Sequence, residues 1–422
     1  MFRRVKGTQD FLDLTQFLYV VDQARAHFQT YSFIPIQTPI VEHADLFIRS
    51  LGEHTDVVMK EMFFVAGKNS TDDQKEQLVL RPEMTASIMR AFLEDEAQQV
   101  VRPWRVFTWG PAFRYERPQK GRYRQFHQIS IEMIDAASIA YDAELLAMLH
   151  TFFMERLALT SVTLDINYLG TPEDRARYKT RLYEYIQSRG DVPKAIFERK
   201  DTNILRCFDL KDAESVAFMH EAPRITDYLS AESQKEWQML QQLLADSYIP
   251  FQINPRLVRG LDYYNKTVFE FSSSALGAQS ALCGGGRYDT LAQEFGYTKP
   301  LPSLGAGIGL ERLMLALEAE HAHCKKQYAS IVVLPLEERF VPLALLYAEK
   351  LRAADVSCEA LYDVSSLKSM MRKADKREAK LVIFIGADEQ QGNYVTCKDM
   401  STGVVDKVAP ADLITFCKKM VF

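Results

Sequence analysis

The stretch FRYERPQKGRYRQFHQISIEM, residues 113–133, gathers positive charge in a chain that is otherwise acidic. The formal net charge of the whole sequence is -5 at pH 7, yet between residues 114 and 124 a single glutamate, Glu116, opposes five basic residues. These are Arg114, Arg117, Lys120, Arg122 and Arg124. Guanidinium groups bind phosphate oxygens in bidentate pairs, so the stretch is a candidate phosphate site. A solvated, charge-rich hairpin is the competing interpretation.

The same stretch predicts two antiparallel strands. From residue 101 to residue 134 the pattern has a period of two, and Pro118, Gln119, Lys120 and Gly121 are typical of a turn. In RYRQFHQISIEM, alternation predicts that one face carries Arg122, Arg124, Phe126, Gln128, Ser130 and Glu132. On the preceding strand we expect Arg114 and Glu116 to share a face in the same way. A buried face of this composition requires a ligand, and a nucleotide with an amine-bearing small molecule would satisfy it.

Length and composition bound the fold. A chain of 422 residues with 47% hydrophobic and 25% charged residues predicts two or three globular domains. No apolar run approaches the ~20 residues that cross a bilayer, and the start of the sequence lacks the apolar region of a targeting peptide. The six cysteines are scattered, which favours reduced thiols and a cytoplasmic location. We expect no metal site, because the cluster His321, His323 and Cys324 has no second ligand pair.

The order of the patterns along the chain indicates the domain organisation. TQFLYVVDQARAHFQTY (15–31) is an amphipathic helix, FIPIQTPIVEH (33–43) is extended, and residues of about 170–250 form short helices that we interpret as an insertion. Strands and glycines return between about 251 and 310, and a helix begins near Leu310. From about residue 327, strand and helix alternate, which predicts a separate α/β domain.

Three glycine-bearing segments accompany the basic stretch. GAGIGLERL (305–313) spaces its glycines two apart, so that one strand face lacks side chains and a planar ring could lie against it. LVRGLDYYNKTVFE (257–270) places Arg259 and Gly260 before a strand, CGGGRYD (283–289) adds three glycines before Arg287, and LRPEMTA (80–86) places Glu83 and Thr85 after Pro82. Each pattern alone is common in loops. Neither the dinucleotide fingerprint nor a P-loop occurs, so none of these glycines indicates those folds.

Together these segments resemble the class II aminoacyl-tRNA synthetases. FRYERPQKGRYRQFHQ is similar to motif 2 in its histidyl form, GAGIGLERL resembles motif 3, and the segment around Pro39 resembles motif 1. LVRGLDYYNKTVFE and CGGGRYD resemble the two histidine-binding motifs of histidyl-tRNA synthetases. The resemblance extends over essentially the whole chain. Met84 departs from it, since the common bacterial form of this motif has glycine there, and Gly284 stands where alanine is frequent.

The resemblance implies roles for individual residues. Arg114 would hold the α-phosphate of ATP, Arg122 and Arg312 the γ-phosphate, and Phe126 would stack on adenine. Arg259 would bridge the histidine carboxylate and the α-phosphate, so that Arg259 and Arg114 would be the catalytic residues. The histidine-binding residues would be Glu83, Thr85, Gln128, Glu132, Tyr263, Tyr264 and Tyr288. Arg117 and Gln119 would meet the acceptor stem of the tRNA.

The same resemblance implies the fold and the reaction. We expect an α+β catalytic domain with a mainly antiparallel sheet over residues 1–325, a helical insertion at about 170–250, and a C-terminal α/β anticodon-binding domain over 327–422. The activity would be formation of histidyl-adenylate from ATP with Mg²⁺, then transfer to the 3′ end of tRNA(His), in a homodimer without membrane contact. A candidate RNA-facing helix carries Lys368, Arg372, Lys373, Lys376, Arg377 and Lys380. The alternative is a non-catalytic regulatory subunit of ATP phosphoribosyltransferase, though such proteins usually lack the tail domain and degrade the arginine motif.

Overall fold

A computed structural model describes residues 2–53, 55–66, 77–94, 100–320 and 330–421. The contacts divide the chain into two units, Met1–Cys324 and Lys325–Phe422. The predicted domain boundary near residue 326 and the cluster of His321, His323 and Cys324 lie outside the described residues.

The first unit is built on a large sheet. The strands of the first unit are β1 (Ile34–Pro35), β2 (Val41–His43), β3 (Phe63–Val65), β4 (Leu78–Leu80), β5 (Trp104–Phe113), β6 (Gln125–Ile134), β7 (Val162–Tyr168), β8 (Gln252–Ile253), β9 (Asn265–Ser273), β10 (Ala281–Arg287) and β11 (Ser303–Gly309). The eight-stranded sheet has the order β1-β5-β6-β11-β10-β9-β7-β8. Its six central strands are antiparallel to their neighbours, and only the short edge strands β1 and β8 pair in parallel. The predicted α+β class with a mainly antiparallel sheet is confirmed.

Helices cover this sheet and form a separate layer. They are α1 (Thr15–Thr30), α2 (Ala44–Leu51), α3 (Thr85–Glu94), α4 (Ala140–Thr151), α5 (Pro172–Ser188), α6 (Lys194–Asn203), α7 (Ala213–His220), α8 (Ala231–Asp246), α9 (Leu291–Glu294) and α10 (Leu310–Ala319). Helix α1 buries the predicted apolar stripe, Phe17, Val20, Val21, Ala24 and Phe28. Each of the larger side chains contributes roughly 1.5–3 kcal/mol when it leaves water, which is sufficient to dock the helix on the sheet.

The hairpin of β5 and β6 confirms the antiparallel prediction, from the pair Trp104–Ile134 to the pair Phe113–Gln125. The hairpin closes where the backbone groups of Gln119 and Arg122 exchange hydrogen bonds of 3.1 and 2.9 Å. Gly121 has a φ of +73°, which suits a residue without a side chain in this turn.

The face prediction was wrong for the basic residues. Because β5 ends at Phe113 and β6 begins at Gln125, Arg114, Glu116, Arg122 and Arg124 belong to the connecting loop and not to the strands. The loop is stabilised by its own charges instead, with Arg122 in an ion pair with Glu116 and the Arg124 guanidinium 3.7 Å from the ring centroid of Tyr115.

The segment between β7 and β8 is helical throughout its regular structure. It contains α5 to α8 and the 3₁₀ segment Ile204–Asp209, and no strand lies between residues 172 and 246, all of which are described. Thr171 begins α5 with a capping box, in which its hydroxyl accepts the backbone N–H of Asp174 and the Asp174 side chain accepts that of Thr171. We call residues 172–246 the helical insertion.

The second unit alternates strands and helices around its own core. Its strands are β12 (Ile331–Pro335), β13 (Cys358–Ala360), β14 (Leu381–Ile385), β15 (Val395–Asp399) and β16 (Val405–Val408); its helices are α11 (Val341–Arg352), α12 (Leu367–Asp375), α13 (Ala387–Gly392) and α14 (Leu413–Val421). The sheet order is β13-β12-β14-β15-β16, in which β13, β12 and β14 are parallel and the last two strands are antiparallel. The predicted α/β tail is confirmed.

Candidate active site

Three arginines line one cavity of the first unit. Arg114 and Arg122 extend from the loop between β5 and β6, and Arg312 extends from the first turn of α10. Arg312 is fixed by carbonyl groups, since its Nε donates to Gly121 O at 3.0 Å and its Nη1 to Ala281 O at 3.1 Å. Arg114 donates from Nε to Pro82 O at 2.9 Å. The three cations are thus held in place by neutral groups and by the single partner of Arg122, Glu116.

The electrostatics of this group favour an anionic ligand. Within the described residues, neither Arg114 nor Arg312 forms an ion pair with a carboxylate. Burial lowers the pKa of Arg312, and repulsion by Arg122 and Arg114 lowers it further. A ligand that brings several negative oxygens would remove this repulsion, and phosphate groups do so through bidentate hydrogen bonds. We call Arg114, Arg122 and Arg312 the arginine group.

A buried carboxyl lies close to the same cavity, on β6. Glu132 is 1% exposed, its Oε1 accepts the hydroxyl of Thr85 at 2.7 Å, and its Oε2 accepts the hydroxyl of Tyr288. Burial raises the pKa of Glu132 to about 8, although the two hydroxyls lower it. Each carboxyl oxygen has a further lone pair, so Glu132 can still accept a hydrogen bond from a ligand.

Glu83 begins helix α3 beside this carboxyl. Its Oε2 accepts the N–H of Thr85 at 2.6 Å and its Oε1 accepts the N–H of Ala86 at 2.9 Å. Burial raises the pKa of Glu83, and these N–H groups oppose the rise. The side chain therefore both caps the helix and presents a carboxyl to the cavity. Met84 lies between Glu83 and Thr85 in sequence, and its side chain is fully buried in the hydrophobic core.

The glycines of β11 make room for side chains of β6. Gly305 is paired with Glu132, and Gly309 with Gln128. A Cβ at Gly305 would overlap the Glu132 carboxyl, and a Cβ at Gly307 would overlap the Gln128 amide. We expected that a planar ring of a ligand could lie against the glycine face of β11. At Gly305 and Gly307 this expectation was wrong, because the side chains of Glu132 and Gln128 fill the space beside them. Only at Gly309 would an added Cβ have no neighbour closer than 4.0 Å.

The loop before β9 supplies the remaining polar groups. In this loop, which we call the histidine loop (residues 259–264), Tyr263 and Tyr264 are buried with their hydroxyls 3.5 Å apart. Arg259 Nη1 donates to Glu270 Oε2 at 2.9 Å, and its guanidinium occupies the place that a Cβ on residue 284 would take. Gly284 is therefore compatible with this position of Arg259, and an alanine there is not.

Most of the predicted residues meet at this one cavity. Its lining includes ten of them: Glu83, Thr85, Arg114, Arg122, Phe126, Gln128, Arg259, Tyr263, Tyr264 and Arg312. Glu132 and Tyr288 are buried and are hydrogen-bonded to each other, and Glu132 connects to the lining through Thr85. Arg117 and Gln119 lie outside the lining and are exposed on the hairpin loop.

Comparison with known proteins agrees with this arrangement. The family profile "Histidyl-tRNA synthetase" matches residues 15–313, which carry every part of the cavity, and the profile "Anticodon binding domain" matches residues 330–420. The chain belongs to the histidyl-tRNA synthetase family.

Full-length relatives carry the same family name. A histidine–tRNA ligase of Maridesulfovibrio salexigens is 38% identical over 405 residues, which cover 95% of this chain and 96% of the relative. One from Halothermothrix orenii is 39% identical over 420 residues, 99% of each chain. Among solved structures, the apo histidyl-tRNA synthetase of S. aureus has a TM-score of 0.81 at 30% identity, covering 99% of this chain and 100% of that one.

The sequence did not identify the partners of two buried charged residues, of which Glu311 lines the cavity of this histidyl-tRNA synthetase family member and Arg287 lies outside that lining. Glu311 is 5% exposed, and its carboxylate accepts both the backbone N–H of His127, at 2.9 Å, and the ring Nδ1, at 2.9 Å. This contact ties α10 to β6 beside Arg312. Arg287 is buried with Asp142 and joins β10 to α4. The only sequence signal was the charge of these residues at apolar positions, and it did not identify their partners.

Two further observations concern what the site can hold. Within the described part of the chain, no group of three or more His, Cys, Asp or Glu side chains could bind a metal ion. The five described cysteines are unpaired and buried, and burial raises the pKa of Cys283, which lines the cavity.

Within the residues that the structure describes, no helix is long and apolar enough to cross a membrane.

Proposed function

We propose that the chain is a histidine–tRNA ligase that forms histidyl-adenylate from histidine and ATP and transfers the histidyl group to tRNA(His). One observation carries the proposal: the arginine group and the carboxyl and hydroxyl groups of Glu83, Thr85, Tyr263 and Tyr264 line the same cavity. The polyphosphate of ATP fits the arginine group. An amino acid whose side-chain ring carries two nitrogens fits the carboxyl and hydroxyl groups.

For the first step, the arginines act on ATP. Arg114 would hold the α-phosphate, while Arg122 and Arg312 would hold the γ-phosphate, and Phe126 would stack on adenine. An oxygen of the histidine carboxylate attacks the α-phosphorus, and diphosphate leaves. Arg259 would contact both anions as they approach. The protein contributes orientation and fixed positive charge, which are the two contributions that such a displacement needs.

For recognition of histidine, the buried carboxyl is the central group. Glu132, with Tyr264 and Tyr288, would bind the imidazole, whose two nitrogens require a donor and an acceptor in suitable positions. Glu83, Thr85 and Gln128 would bind the α-amino group, and Tyr263 would line the pocket. Analogues without the ring N–H would leave Glu132 with its bonds to Thr85 and Tyr288 but without the bond from the ligand, and would therefore bind more weakly.

Mg²⁺ would accompany ATP and not occupy a protein cage. This ion is usually held by substrate phosphates with one or two carboxylates. Glu116 and Glu311 are the carboxylates on the lining nearest in sequence to the arginine group. When bound, the ion would neutralise phosphate charge.

In the second step, transfer to tRNA, both units of the chain would take part. Residues 1–325, with the insertion at about 170–250, would be the catalytic domain, and residues 327–422 would bind the anticodon. The exposed positions of Arg117 and Gln119 support contact with the acceptor stem. On the second unit, Lys368, Arg372, Lys376 and Lys380 are exposed on or just after α12. Arg377 is committed to Glu359 at 2.7 Å, and Lys373 is half-buried, so we assign RNA contact to the other four.

The proposal also includes a cytoplasmic homodimer. Ile34 and Ile40 in the segment around Pro39 are 52% and 38% exposed, whereas Ile36 packs on the core. Exposed isoleucines at a sheet edge favour a partner surface. Light scattering at micromolar concentration should give twice the chain mass. A stable and active monomer would contradict the dimer.

The unpaired cysteines of the described residues agree with a reducing compartment, such as the cytoplasm.

The deciding experiment is ATP–diphosphate exchange with and without histidine. The proposal expects exchange that requires histidine and is not supported by the other amino acids. If histidine binds without exchange, the chain would act like the regulatory subunit of ATP phosphoribosyltransferase, and its effect on that enzyme should then be measured.

A further inference from the structure

The histidine loop is held mainly by side chains of the helical insertion. Arg175 of α5 donates from Nη1 to the carbonyl of Tyr264 at 2.8 Å, and Arg206 of the 3₁₀ segment donates to the carbonyl of Gly260. The two arginines therefore fix the loop near both of its ends. Neither carbonyl belongs to a helix or a strand.

The side chain of Asp262 gives a third point of attachment at the middle of the loop. Its Oδ1 accepts the amide of Asn203, the last residue of α6, at 3.1 Å. The same oxygen lies 3.7 Å from Nη2 of Arg206. One arginine of the insertion thus interacts with both a carbonyl and a carboxylate of the loop.

The rest of the catalytic unit contributes less to the loop backbone. Within the described residues, one backbone–backbone hydrogen bond reaches residues 259–264 from elsewhere, from Asp262 N to Leu51 O at 3.3 Å. The adjacent Gly52 has a φ of +90°, and a Cβ there would lie 2.7 Å from Oδ2 of Asp262. The loop is therefore enclosed between the end of α2 and the insertion; the insertion provides the charged contacts to its carbonyls and to Asp262, while Arg259 pairs with Glu270 of β9.

Both arginines are largely withdrawn from solvent and direct donors to carbonyls of the loop. The Arg206 side chain is 14% exposed. Burial lowers the pKa of Arg175, and Asp262 opposes that effect. Their hydrogen bonds to loop carbonyls are charge-assisted, and such bonds are stronger than those between neutral groups.

We propose that Arg175 and Arg206, with Asn203, are positioning residues through which the helical insertion sets the place of Arg259, Tyr263 and Tyr264. This inference rests on the proposed function and deepens it, because it assigns the insertion a part in the histidine-dependent step. A displacement of about 1 Å in a reacting group can cost on the order of a hundredfold in rate. Release of either end of the histidine loop should therefore weaken histidine use, while ATP binding, which depends on the arginine group, should change little.

The test compares Arg175→Ala and Arg206→Ala with Arg181→Ala. Arg181 lies on the same helix as Arg175 but is 57% exposed; it forms an ion pair with Glu184 at 2.7 Å and lies 5.9 Å from the ring centroid of Tyr228, away from the loop, so it is a matched control. In ATP–diphosphate exchange, the two loop variants should raise the KM for histidine or lower kcat by roughly ten- to hundredfold, the effect of losing a hydrogen bond to a charged group. The KM for ATP should stay within about twofold, and lysine at either position should restore part of the activity, since one of its donors can reach the carbonyl.

A second readout is independent of activity. Hydrogen–deuterium exchange of the peptide that spans residues 257–266 should be faster in both loop variants than in Arg181→Ala, with thermal midpoints measured on the same samples. If both variants match Arg181→Ala in the two assays, or if ATP and histidine constants change equally, the inference is wrong. If the unmodified chain shows no histidine-dependent exchange, the proposed function fails instead, and deuterium exchange still decides whether the insertion holds the loop.

Discussion

Nη1 of Arg259 donates to Oε2 of Glu270 at 2.9 Å, so the arginine at the start of the histidine loop already has a carboxylate partner on β9. A guanidinium carries five N–H donors, and this contact uses one of them. The others can meet a carboxylate and a phosphate without breaking the pair. Glu270 therefore orients Arg259 toward the cavity.

This geometry predicts the effect of Arg259→Ala. Both reactants in adenylate formation are anions, and removal of the cation that we propose to lie between them should slow that step by about 10²–10³. Transfer from preformed adenylate to tRNA should be affected less, because no phosphorus is then attacked. Single-turnover measurements of the two steps provide the test.

Arg259→Lys is the matched variant. A lysine keeps the charge but cannot bridge two oxyanions in a plane, so it should recover only part of the rate. A purely structural role for Arg259 would give a different pair of results, with a lower melting temperature and an unchanged adenylation rate.

Glu132→Gln should weaken histidine binding and leave ATP binding nearly unchanged. At pH 8.5, above the Glu132 pKa of about 8, the substitution keeps the shape of the side chain but removes a charged acceptor, whose hydrogen bonds are worth roughly 1.5–3 kcal/mol. Calorimetric titration with each substrate separates the two affinities. An unchanged affinity for histidine would mean that the imidazole binds elsewhere.

The same residue predicts a pH dependence of stability. The pKa of Glu132 is about 8 in the folded protein, above its usual value of 4.5, so the folded state binds the proton more tightly than the unfolded state does. The contribution is complete below pH 4.5 and is lost as the pH rises toward 8, by up to about 1.4 kcal/mol per pH unit. Urea unfolding from pH 5 to pH 8.5 should show Glu132→Gln gaining stability relative to the unmodified protein. A constant difference across this range would contradict the assignment of the raised pKa.

The basic residues of the second unit predict a salt effect. Replacing Lys368 and Lys376 with alanine should lower tRNA affinity and reduce the slope of log affinity against log salt by about one for each RNA phosphate that the variant no longer neutralises. Adenylate formation should not change. Alanine at Lys418 and Lys419, exposed on α14 of the same unit, is the control for loss of charge alone. Equal effects in both variants would indicate a general attraction to RNA without a defined surface.

Local patterns predicted the elements and most of the residues at the cavity. The stripe of Phe17, Val20 and Phe28 predicted α1, and the period of two predicted the β5–β6 hairpin, because both depend on neighbours within a few residues. Motif resemblance located the arginine group and Glu132. The strand limits were less predictable: alternation continued through Arg122 and Arg124, while the paired strands end at Phe113 and Gln125, and beyond them Arg114 N donates to Arg124 O at 2.9 Å.

Contacts between distant segments had no local signal. Arg175 lies 89 residues from its partner Tyr264, and Arg206 lies 54 residues from Gly260. In sequence, each arginine is one more charge on an amphipathic helix or turn. Their partners are backbone carbonyls, which every residue possesses, so side-chain identities could not indicate them.

Gly305 gives the fold a consequence for attempts to change amino-acid preference. The room for the Glu132 carboxyl exists because residue 305 has no side chain: an added methyl group would overlap this carboxyl and lie 2.6 Å from the backbone oxygen of Ile131, so both would have to shift. Libraries that vary only the lining of the cavity would miss this position. Gly305→Ala, paired with a shorter acid at position 132, is a rational starting point for engineering acceptance of ring analogues of histidine.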